Sequence, residues 1–213
     1  MANPLYDRLF GAHAGKSTPF LHQPDGSMLT HDAFLKIAAQ IANAMTDAGL
    51  KAGDRVAAQI EKSPEALALY AACAQAGLIF LPLNTAYTAD ELQYFIKNSG
   101  ASLVVCDAAK SDTIEPMAAA LNAQVETLNA DGSGSLMDKA SAQPDSFATV
   151  GRDGDDLAAF LYTSGTTGRS KGAMLSHANL ASNSDMLRDY WRFTREDVLI
   201  HALPIFHTHG LFV

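Results

Sequence analysis

From residue 54 onward the apolar positions gather into short runs separated by longer stretches with one apolar face. The runs at 55–60, 78–82, 103–106 and 125–128 have strand length. Between the first two lies an alanine-rich segment, 66–76, with Ser63-Pro64-Glu65 ahead of it and Gly77 behind, which reads as a capped helix with proline in its first turn. Thr88 and Glu91 have capping-box spacing, which predicts a helix over 89–98 ending at Gly100. A weaker helical pattern covers 114–122. Strands that alternate with helices over this length predict an α/β fold: strand-helix layers around a largely parallel sheet covered on both faces. Ahead of this series, Phe20-Leu21 followed by Pro24-Asp25-Gly26-Ser27 reads as a short hairpin. Thr30 then caps a helix whose face carries Phe34, Ile37, Ala38, Ile41 and Met45 and which stops at Gly49. The polar stretches 131–135 and 141–156, the latter with Pro144, read as exposed connections. They divide a first lobe, 1–150, from a second, 151–213.

The second lobe opens with the apolar run 157–161, a buried strand by this reading, and then changes character. Tyr162-Thr163-Ser164-Gly165-Thr166-Thr167-Gly168-Arg169-Ser170-Lys171-Gly172 is rich in glycine and hydroxyl side chains. Glycine opens backbone conformations in which successive N–H groups converge on an anion. The hydroxyls of Thr163, Ser164, Thr166, Thr167 and Ser170 add short donors, and Lys171 adds a mobile point charge suited to phosphate oxygens. Such a loop asks for polyphosphate. Spacing excludes two familiar phosphate loops: counted from Gly165, a Walker P-loop needs glycine where Ser170 stands and a hydroxyl where Gly172 stands, and no G-x-G-x-x-G occurs in the chain. The competing reading, a flexible linker, fits poorly between an apolar strand and Ala173-Met174-Leu175, which is expected to lead into a helix. Ser176 caps that helix, 177–191, and Thr194-Arg-Glu-Asp197 marks a turn before a further buried strand at 198–203.

Ile205-Phe206-His207-Thr208-His209-Gly210 follows that strand, where open α/β sheets place ligands. Two imidazoles at i and i+2 invite a metal reading, but no third cysteine, histidine or carboxylate stands beside them. His207 and His209 are therefore weighed as ordinary surface histidines or as hydrogen-bonding groups of a site, and His13, His22 and His31 as surface or packing residues alone.

The totals narrow the partners. Of 213 residues 48% are hydrophobic, ample for a core, and the formal charge of −8 with a pI near 5.2 argues against nucleic acid, which needs a basic face. Any anionic ligand must then be held by local donors. Cys73 and Cys106 are too few for a disulfide framework and sit in apolar contexts, which predicts buried thiols in a reducing compartment. The N-terminus lacks a signal-peptide core and no 18 apolar residues run together, so a cytoplasmic address and no membrane partner are expected.

The run YTSGTTGRSKGAMLSH, residues 162–177, resembles the signature of the adenylate-forming superfamily, which includes acyl-CoA synthetases, luciferases and the adenylation domains of peptide synthetases. The resemblance implies part of the large N-terminal domain of such an enzyme, with ATP as cofactor, magnesium held by the ATP, and no metal site of its own. By the same resemblance Thr163, Ser164, Gly165, Thr166, Thr167, Gly168 and Lys171 bind the β and γ phosphates, Lys171 also offsets charge on the leaving pyrophosphate, and His207 lines the acyl site beside the reacting carboxylate. ALPIFHTHGLFV, residues 202–213, is most similar to malonyl-CoA synthetases. That implies malonate or methylmalonate as acid and coenzyme A as co-substrate; another short or medium acid, a non-catalytic ATP-binding module and a structural or interaction fragment remain as alternatives. Relative to that family the chain stops early, on the uncapped apolar run Gly210-Leu211-Phe212-Val213. The magnesium, ribose and second-carboxylate residues and the C-terminal domain with its lysine are then expected beyond Val213, and the fragment alone is not expected to turn over.

Overall fold

The computed structural model describes residues 2–163 and 170–213. The chain opens with α1 (Pro4–Leu9), which the sequence reading did not foresee. Asn3 caps it: its Oδ1 accepts from the Tyr6 N–H at 3.0 Å, and its Nδ2 donates to the carbonyls of Ala74 (2.8 Å) and Val150 (3.0 Å). The expected hairpin follows as β1 (Pro19–His22) and β2 (Met28–Thr30), and Thr30 caps α2 (His31–Asp47) as anticipated.

The strand-helix series then appears nearly residue for residue: β3 (Arg55–Gln59), α3 (Pro64–Ala76), β4 (Ile79–Pro82), α4 (Ala89–Ser99), β5 (Leu103–Cys106), α5 (Ser111–Ala120) and β6 (Gln124–Thr127). Local chemistry sets the helix ends. Ser63 caps α3, Gly77 ends it in the left-handed conformation at φ 70, and the Thr88/Glu91 capping box forms at α4. Within the polar connection lies one further helix, α6 (Ser135–Ser141), missed because only Leu136 and Ala140 mark its buried side and no side chain caps its start. β7 (Leu157–Thr163), β8 (Lys171–Ser176), α7 (His177–Trp191) and the short α8 (Thr208–Leu211) complete the described strands and α-helices, with single 3-10 turns at Gly11–His13 and Ala108–Lys110.

Six strands form one sheet in the order β6-β5-β3-β4-β7-β8, parallel except for the β7–β8 pair. Side chains alternate across it with the strand period of two. Val56, Ala58, Phe80, Leu103 and Val105 join the core on the side of α2 and α3, whereas Ala57, Leu81, Val104 and Cys106 join the core on the side of α4 and α5. The chain passes from β4 back across β3 to β5, so the order reverses at β3 and β4. Ligands of open α/β sheets bind outside the carboxyl ends of the strands at such a reversal. Both cysteines are buried and free; burial pushes the Cys73 thiol well up and the Cys106 thiol to about 11, so neither is a reactive thiolate.

Two expectations fail. Ala173-Met174-Leu175 does not lead directly into a helix: it lies in β8, antiparallel to β7, so the glycine-rich stretch joins two hydrogen-bonded strands. The run 198–203 forms no strand. Val198, Leu199 and Ile200 are 78%, 68% and 88% exposed, and among the described residues no strand lies beside them. An apolar run becomes a strand only where another strand takes up its N–H and C=O groups.

Candidate functional site

A cleft of about 360 Å³ opens at the carboxyl ends of β4 and β7. Pro82, Asn84 and Tyr87 supply one wall, Leu161, Tyr162 and Thr163 the floor at the end of β7, and Phe206, His207 and Thr208 the other wall. Two residues singled out in the sequence, Thr163 and His207, thus come together from 44 positions apart.

Thr163 is the last residue of β7 and faces Lys171, the first of β8; its hydroxyl donates to the Lys171 carbonyl at 3.3 Å. Lys171 is exposed and its side chain is not among those lining the cleft. Ser164, Gly165, Thr166, Thr167 and Gly168 lie outside the described residues. The ends of the hairpin are fixed from α4. The Tyr94 hydroxyl donates to the Ser170 carbonyl at 3.0 Å, and the Tyr162 hydroxyl donates to Asn98 Oδ1 at 2.7 Å. Phe95 packs on Tyr162 with ring centroids 4.3 Å apart, and burial, with Tyr94 nearby, pushes the Tyr162 phenol up to about 12. Tyr162 is therefore a neutral donor at physiological pH. The Phe160 ring covers Gly172 so closely that a Cβ there would overlap it, which is why glycine stands at that point of β8.

His207 is exposed and caps α8, its Nδ1 accepting from the His209 N–H at 3.3 Å while the two rings stack at 5.3 Å. In the neutral ring that acceptor role places the proton on Nε2, leaving it to donate. His209 faces elsewhere, into a separate groove of about 920 Å³ lined by Phe20, Phe34, Tyr70 and Leu199 among others. The expected strand before His207 does not form, but the Pro204 carbonyl accepts from the His207 N–H at 3.3 Å and presses on Gly210, so the turn itself sets the histidine's place.

Sequence reading missed Asn84, Tyr87, Phe206 and Thr208. The one available signal was position, directly after the predicted strand 78–82 or beside His207; which strand ends would be neighbours was not legible. Among the described residues no group of three or more His, Cys, Asp or Glu side chains could hold a metal ion, and no helix is long and apolar enough to cross a membrane.

The profile of the AMP-binding enzyme family matches residues 11–213. An oxalate-CoA ligase of Arabidopsis thaliana is 32% identical over 185 residues, 85% of this chain and 35% of that protein. A mitochondrial malonate-CoA ligase of Xenopus laevis, ACSF3, is 35% identical over 136 residues, 63% of this chain and 23% of that one. The crystal structure of apo MatB from Rhodopseudomonas palustris matches with a TM-score of 0.96 at 55% identity, over 100% of this chain and 42% of that one; ATP-bound MatB gives 0.95. The chain therefore spans well under half the length of these proteins. With its sheet order, its hairpin and a family match that runs to the last residue, the chain belongs to the AMP-binding enzymes, and its fold is that of the N-terminal part of an adenylate-forming CoA ligase.

Proposed function

We propose that this chain is the N-terminal part of a malonyl-CoA synthetase. In the first step a carboxylate oxygen of malonate attacks the α-phosphorus of ATP and the bond to the departing pyrophosphate breaks. In the second the thiol of coenzyme A attacks the acyl carbon, AMP leaves, and the thiol proton passes to solvent. A carboxylate with an ordinary pKa near 4 is already ionised, so the first step needs no general base. Positioning and charge neutralisation carry the catalysis.

The observation that carries this reading is the convergence of Thr163 and His207 on one cleft at the strand ends. Thr163 and Lys171 stand at the two ends of the glycine- and hydroxyl-rich stretch whose donors suit phosphate. ATP-bound MatB is similar over the whole of this chain at 55% identity. Lys171 and the backbone N–H groups of residues 164–168 would offset charge on the pyrophosphate, and the Nε2–H of His207 would hold the reacting carboxylate. Magnesium would arrive on the ATP phosphates, to which the hairpin offers donors rather than carboxylates. Malonate is favoured over other acids by the resemblance of residues 202–213 to malonyl-CoA synthetases and by the malonate-CoA ligases among the relatives. The oxalate-CoA ligase relative gives the second reading, another short dicarboxylate.

The test is coenzyme A ester formation from malonate, oxalate and acetate by the full-length protein. Malonyl-CoA in preference to the other two esters is expected. His207→Ala should raise the KM for malonate about tenfold or more, the weight of one hydrogen bond to a charged group. A preference for acetate, or an unchanged KM in the variant, would sink this assignment.

A further inference from the structure

Gln59 is the last residue of β3 and is fully buried, in a sheet position that a branched apolar side chain would fill without cost. Its Nε2 donates to the carbonyls of Asn84 (2.9 Å) and Tyr87 (3.3 Å), while its Oε1 has no hydrogen-bond partner among the described residues. Those two carbonyls bracket the turn that follows β4, closed by the Tyr87 N–H donating to the Asn84 carbonyl at 3.0 Å. Lys110, just beyond β5, donates through Nζ to the Thr85 carbonyl at 2.5 Å. Three backbone carbonyls of one short turn are thus taken by two long side chains, one at the end of the neighbouring strand β3 and one just past the end of β5. Asn84 and Tyr87 are the same residues that form the cleft wall facing His207.

We infer that Gln59 and Lys110 are positioning residues that hold the 84–87 turn in place as a wall of the acid-binding cleft. This rests on the proposed carboxylate site. The buried amide of Gln59 spans the two ends of the turn, Asn84 and Tyr87, which no apolar side chain at that place could do, and a wall free to move would leave the acid loosely placed against His207.

Amide hydrogen exchange and steady-state kinetics on the full-length protein and its Gln59→Met and Lys110→Met variants test it. Methionine keeps the length of glutamine and most of the apolar stem of lysine and removes the donors. Exchange across residues 84–88 should quicken about tenfold in each variant, the weight of one or two ordinary hydrogen bonds. The KM for malonate should rise by a similar factor with kcat within about twofold of the parent. A substitution that merely unfolds part of the sample lowers kcat and leaves KM alone, and that pattern would overturn the inference. So would unchanged exchange at 84–88. If Gln59→Met does not fold, the less buried donor Lys110 decides the matter by the same two readings. Should no acid be activated at all, the proposed function fails, but the exchange measurement still reports whether the turn is pinned.

Discussion

His177 shows what burial does to one titratable residue. It is the first residue of α7, has no solvent exposure, and neither ring nitrogen has a hydrogen-bond partner among the described residues. Burial, with Arg152 close by, pushes its pKa below the ordinary histidine value; Asp156, paired with Arg152 at 3.2 Å, opposes this more weakly. The folded protein therefore prefers the neutral ring. That preference contributes fully above the unfolded value near 6.5 and is lost as pH falls through it toward the lower folded value. His177→Gln, neutral at every pH, should lose less melting temperature between pH 7 and pH 5 than the parent does. Equal losses, measured by thermal unfolding at the two pH values, would remove His177 from the acid response. Legibility at this scale was uneven. His207 could be found because it stands in a motif; Gln59 could not, since a glutamine in an apolar run carries no mark of the carbonyls it meets 25 and 28 residues later.

At the scale of elements the caps were the most readable feature. Thr30, Ser63, Thr88 and Ser176 each accept from the backbone N–H three residues on, as their sequence positions implied, because capping is a local event. β8 was misread because its pairing depends on β7, eight or more residues away and across a stretch whose composition announces a loop but not a hairpin. Gly172 is the residue in which that hairpin is most exposed to a test. Adding one methyl there drives it into the Phe160 ring, which is itself held against Tyr162 at 5.3 Å. Gly172→Ala should cost about 1–3 kcal/mol, the ordinary range for overpacking a filled site. Chemical denaturation of the variant beside the parent measures this directly; a difference indistinguishable from zero would show that Phe160 moves aside freely.

On the scale of the whole molecule, α/β class and a largely parallel sheet follow from the alternation of periods, while strand order does not. Nothing in the run 157–163 says that it will lie beside β4 rather than β6, yet that adjacency builds the cleft by bringing Thr163 next to Asn84 and Tyr87. The failed strand at 198–203 has the same root: its apolar residues state that it should be covered, not by what. Net charge enters here as well. At −8 the chain repels anions in general, so any anionic ligand must be drawn in by the few donors gathered at the strand ends. The proposed site is therefore tested most directly by where a nucleotide settles. A crystal structure of the protein with ATP and malonate should place the β and γ phosphates within hydrogen-bonding distance of the stretch between Thr163 and Lys171, with a malonate carboxylate on His207 Nε2. ATP bound instead in the larger groove beside His209 and Leu199, with the cleft at the ends of β4 and β7 left empty, would contradict it.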